Sequence, residues 1–142
     1  QAIDGAVEAS NRISEHADVV ILTNLMDHHN EARGEQLRAV GIDAPVYTNQ
    51  GGKGEALARI IERYSPSVAV FVDDLGHQHE SVSEHLPDVW RLQLVGEPIL
   101  WQRVQASTSA HARIDVWHEA EQWITEKLLA GSAAPIIQKE PA

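Results

Sequence analysis

The chain has 142 residues, 43% hydrophobic and 23% charged, the size and composition of one ordinary globular domain. Its net charge of -10, from 21 Asp and Glu against 11 Lys and Arg, argues against non-specific nucleic-acid binding, which needs basic patches to neutralise phosphates. The absence of cysteine excludes disulfides and thiolate zinc sites, no apolar run approaches the roughly 20 residues that span a bilayer, and a cytoplasmic location is the simplest expectation.

The opening QAIDGAVEAS has neither a basic segment nor an initiator Met, so it does not read as a signal peptide and resembles the interior of a larger protein. Helical and strand periods then alternate. Residues 8–17 read as a helix and 18–24 (DVVILTN), a continuous apolar run, as a buried strand. A helix is expected over 30–41, closed by Gly41, and a short strand over 44–49. Residues 53–64 (KGEALARIIERY) form an amphipathic helix with Ala56, Ile60 and Ile61 on one face. A second buried strand follows at 67–74 (SVAVFVDD), then a short helix at 78–86, a strand at 90–96 and a last helix at 118–131 closed by Gly131. Residues 1–130 make one domain, and the tail from 131 to 142 is expected to be loosely ordered.

Strand and helix in alternation predict an α/β protein with a doubly wound, mainly parallel sheet. In such sheets ligands bind at the carboxyl ends of the strands. Thr23 and Asn24, residues 48–53, and Asp73 with Asp74 are therefore the places where chemistry is expected. Paired carboxylates at a strand end either cap the next turn or, as hard oxygen ligands, hold Mg2+ with its waters and a phosphate. Lys53, one of three lysines, opens a helix, where the dipole disfavours a cation unless an anion is bound. It is either the residue that meets that anion or a solvated side chain in a flexible turn. The glycines around it would let backbone approach a ligand, although NQGGKGEAL is not the common nucleotide-binding loop. His28, His29, His77 and His79 fall in loops after the first and third strands and are candidates for substrate assistance or a metal.

Taken in order, VVILTN, GGKGEAL and VFVDDLGHQHESV resemble the later motifs of the haloacid dehalogenase-like superfamily, over roughly residues 4–105. The resemblance implies Mg2+-dependent phosphoryl transfer from a small phosphorylated molecule. Thr23 and Asn24 would contact the phosphoryl group, Lys53 would neutralise phosphate and nucleophile, and Asp73, supported by Asp74, would hold Mg2+. The superfamily's nucleophile, an aspartate in an Asp-x-Asp motif on an earlier central strand, has no counterpart here. Aligning AIDG with that motif puts Ala2 where the nucleophile belongs and Asp4 at its second aspartate; Asp115 lacks a partner two residues on. The fold expected is thus the superfamily's Rossmann-like sheet without its first central strand, inactive as given. Either the strands ending in Thr23 and Asp73 meet directly, or a gap is left for an N-terminal segment or a second chain. The alternative is a non-catalytic phosphate- and metal-binding or protein-interaction module of the same fold.

Overall fold

Residues 5–24, 44–96 and 98–137 are described by a computed structural model, the side chain of Asn24 excepted. The helix expected over 30–41, His28, His29 and Asp4 lie outside the described residues. Among the described residues the protein is mixed α/β, with four α-helices and five short strands, all paired in parallel.

The strands form two sheets rather than the single sheet expected. β1 (Ile21–Asn24) pairs with β2 (Val46–Asn49), with Thr23 opposite Thr48. β3 (Val70–Asp73), β4 (Trp90–Gln93) and β5 (Ala112–Arg113) form the second sheet in that order, with Asp73 opposite Gln93. β1 and β3 do not pair, and no described strand joins them.

The ladders are shorter than the apolar runs for identifiable reasons. Pro45, with no N–H to donate, precedes β2 and serves only as acceptor for the Ile21 N–H at 2.9 Å. β4 stops because the Val95 N–H turns to the Asp115 carboxylate at 3.0 Å. β5, two residues long, is too short to leave a period in the sequence.

Four α-helices and a 3-10 turn at Pro98–Leu100 complete the described structure: α1 (Ala6–Ile13), α2 (Lys53–Tyr64), α3 (Gly76–His85) and α4 (Trp117–Ala130). α1 ends four residues earlier than expected. Its Glu15 and His16 N–H groups bond three residues back, to Arg12 and Ile13, which tightens and closes the last turn. α2 occupies the span read from its amphipathic period.

Alternation along β3 divides the core. Val70 and Val72 face a cluster of Ile13, Leu92, Leu94, Ala120 and Ile124, under α1 and α4. Phe71 faces Val82 and Val89, with Leu57, Ile61 and Leu86 of the α2–α3 side. The second sheet is therefore helix-covered on both faces, the arrangement that buried parallel strands require. Arg12 clamps α1 to α4 through a two-point contact with Glu121 at 2.7 and 2.6 Å.

Within the tail expected to be loosely ordered, residues 132–135 are tied down by hydrogen bonds. Trp90 Nε1 donates to the Ser132 carbonyl at 3.0 Å, the Ala134 N–H to the Asp88 carbonyl at 3.0 Å, and His111 Nε2 to the Pro135 carbonyl at 2.7 Å. Ala134 is buried. These partners are backbone carbonyls, which leave no mark on composition.

Candidate functional site

The carboxyl ends of the strands meet through Lys53. β2 ends at Asn49, whose amide donates to the Gly51 and Gly52 carbonyls at 3.3 and 2.9 Å and shapes the turn into α2. Gly51 takes a φ of +82°, a left-handed value that glycine adopts at little cost. The turn delivers Lys53 as the first residue of α2, and its Nζ reaches Asp73 Oδ2 at 2.6 Å. Both side chains are largely buried, 15% and 5% exposed, so this is a desolvated ion pair rather than a surface contact.

Asp73 is held on every side. Its Oδ1 accepts the Leu75 N–H at 2.9 Å, closing the turn before α3. Its carbonyl accepts from Leu94 N–H at 3.2 Å and from His79 Nε2 at 2.9 Å. One carboxylate oxygen thus caps the turn, as the capping reading expects, and the other pairs with Lys53.

Asp74 is exposed. Gln93, fully buried, ties the Asp74 carbonyl inward at 3.1 Å and accepts the Ser107 N–H at 2.7 Å. The Asp74 carboxyl has a raised pKa, first from partial desolvation and then from the neighbouring Asp73 charge. A bound cation would relieve that repulsion.

Asp73 and Asp74 are adjacent carboxylates, and both oxygens of Asp73 are already engaged, by the Lys53 ammonium and the Leu75 N–H. Among the described residues no group of three or more His, Asp or Glu side chains is placed to hold a metal ion.

Two expectations are corrected around Lys53. The glycines were expected to admit a ligand, but Gly52 and Gly54 admit α3. A Cβ on Gly52 would come within 2.5 Å of Ser81 Oγ, and one on Gly54 would collide with the Ser81 carbonyl oxygen and lie 2.6 Å from His85 Nδ1. The first backbone N–H groups of α2 are also already used. Gln78 Oε1 accepts the Lys53 N–H at 2.8 Å and Ser81 Oγ accepts the Gly54 N–H at 2.9 Å. An anion here would meet the Lys53 ammonium rather than those two N–H groups.

Gln78 and Ser81 did not stand out in the sequence. A signal was nevertheless present: Gln78 and His79 lie four and three residues before the buried Val82, hence on the same helix face.

His79 is fully buried against the edge of Phe71, with ring centroids 5.3 Å apart, and its pKa is lowered chiefly by desolvation. It is a donor to backbone, and His77 is exposed. Thr23 sits at the carboxyl end of β1; Asn24 pairs there through its backbone with Asn49.

A cavity of about 190 Å³ opens elsewhere, between β2 and α2, lined by Tyr47, Thr48, Arg59 and Arg63 among others. It includes neither Lys53 nor Asp73, and its apolar and arginine lining brings no carboxylate. The strand-end site is the better candidate because its charged groups converge there. No described helix is long and apolar enough to cross a membrane. No protein-family model, curated protein or solved structure matches the chain.

Proposed function

We propose that this chain carries the phosphate-binding part of a haloacid dehalogenase-like phosphatase domain, acting with Mg2+ on a small phosphate ester in the cytoplasm. The observation that carries this reading is the 2.6 Å contact between Lys53 and Asp73, residues 20 apart in sequence and on different elements. Their meeting at one strand edge is what the superfamily's motif order requires.

In this reading Lys53 keeps one N–H on Asp73 and turns its other two to phosphate. Thr23 and Asn24 add contacts from the end of β1. Asp73 and Asp74 hold Mg2+, which supplies charge neutralisation at the phosphoryl oxygens. Phosphoryl transfer depends mainly on positioning and charge stabilisation, and these groups provide both.

The break between β1 and β3 supports a further element of the proposal. A strand from an N-terminal segment or a second chain lies between them and brings the nucleophilic aspartate. Without that aspartate no phospho-aspartyl intermediate forms.

The test is turnover of an aryl phosphate with Mg2+. The 142-residue chain is expected to show negligible activity. The chain joined to an apolar strand ending in Asp-x-Asp should turn over, and Asp73→Asn in it should not. Robust turnover by the 142 residues alone, lost on Asp73→Asn, would place the nucleophile within them. An inactive joined protein that still binds phosphate would favour the non-catalytic binding module. Absence of phosphate binding altogether would leave the protein-interaction module.

A further inference from the structure

We propose that Gln78 and His79, seconded by Ser81, are the positioning residues of the Lys53–Asp73 pair, an inference that rests on reading the pair as the phosphate and metal site. One turn of α3 grips both backbones from which the ion pair springs. Gln78, 1% exposed, takes the Lys53 N–H, and Ser81 takes the next, that of Gly54. His79, 0% exposed, holds the carbonyl of Asp73 itself.

The His79 contact has only one sense. A carbonyl oxygen only accepts, so Nε2 carries the proton and Nδ1 is left as a bare lone pair. Nδ1 has no partner among the described residues. The imidazole is thereby committed to a single task, a strut from α3 to the end of β3.

A lysine side chain loses rotamer entropy when it pairs. Referring the Lys53 and Asp73 main chains to the same helical turn reduces the freedom left to lose. The brace also decides how an anion is met. A helix N-terminus ordinarily offers free N–H groups to a phosphate. In α2 the first two are already committed to Gln78 and Ser81. Recognition is thereby directed to the ammonium, whose position the same brace sets.

The test is the acylation rate of Lys53 by an amine-reactive ester in the folded chain, read by mass spectrometry relative to Lys127 on α4. Lys127 lies over the Trp90 ring, 4.7 Å from its centroid, and serves as the internal reference. Loss of the brace in His79→Phe or Gln78→Leu should raise the Lys53 to Lys127 ratio about fivefold, the worth of one net hydrogen bond. His79→Gln keeps an N–H donor and Gln78→Glu keeps the acceptor oxygen, and both should return the ratio toward wild type.

A purely structural role would lower thermal stability and leave the ratio unchanged, and that result overturns the proposal. Should His79→Phe or Gln78→Leu fail to fold, Ser81→Ala removes only the hydroxyl that meets Gly54. It should still raise the ratio, and an unchanged value counts equally against the brace. No phosphate enters this measurement. A wild-type chain that fails to bind phosphate would sink the reading of the site, whereas an unchanged ratio sinks the brace.

Discussion

Gly54 is where a single methyl group would do the most harm. Alanine is the better helix former by about 1 kcal/mol, yet its Cβ would collide with the Ser81 carbonyl oxygen, which belongs to backbone and cannot rotate away. Gly54→Ala should therefore lower stability by about 1–3 kcal/mol in urea denaturation, the usual cost of overpacking. Gly52→Ala meets a hydroxyl that can turn and should cost less; a stabilised Gly54→Ala would contradict the packing described. His111 gives a second expectation. Its Nδ1 accepts the Arg91 N–H at 3.0 Å and its Nε2 donates to Pro135, so protonation would set a new N–H against the Arg91 N–H. Its pKa is lowered, first by desolvation and then by the Arg91 and Lys127 charges, and that of His79 is lowered in the same direction. A proton that binds the unfolded chain more readily than the folded one destabilises as pH falls. Stability should thus decline as pH drops below about 6.5, the unfolded imidazole value. The raised Asp74 carboxyl works in the opposite sense. Denaturation midpoints at pH 7.5 and 5.5 check this; the decline should shrink in His111→Asn, and an undiminished decline would rule His111 out as its source.

At the scale of elements, the segment after α4 behaves as a strap over the second sheet. Truncation after Gly131 removes three hydrogen bonds and the burial of Ala134, and should cost about 2–4 kcal/mol at roughly 1 kcal/mol per bond plus the apolar contact. An unchanged urea midpoint would mean the strap holds nothing. The elements also differ in how far the sequence discloses them. α2 was legible residue for residue because its apolar positions keep one period and Gly52 stands at its start. The strands are shorter than the apolar runs that contain them, since an apolar run says what is buried and not where the ladder stops. Val95 is buried like a strand residue, yet its N–H goes to a side chain. Gln78 and His79 read as ordinary polar residues at a helix start, because what turns them inward is a partner element some 25 residues upstream in the case of Gln78. The positions of Lys53 and Asp73 were legible, while their mutual contact and the brace behind it were not.

Among the described residues the arrangement is two parallel sheets linked at the carboxyl ends of β2 and β3 by the Lys53–Asp73 contact, in a protein of net charge -10. The Lys53 charge is matched there by Asp73 at 2.6 Å, and in the proposed reading the two remaining N–H groups of the ammonium meet the anion. β1 and β3 lie in separate sheets, and the proposal of a further strand between them separates two questions, binding and turnover. In the proposed reading binding belongs to Lys53, Asp73 and their neighbours, and it is the more direct test. The central measurement is calorimetric titration of the 142-residue chain with inorganic phosphate in the presence of Mg2+. The account predicts saturable binding of one phosphate, weakened about tenfold or more in Lys53→Met and in Asp73→Asn, as expected for loss of one charge-assisted hydrogen bond. Each variant is first checked for a native circular dichroism spectrum. No phosphate binding by the wild-type chain, or equal binding by both folded variants, would contradict the account.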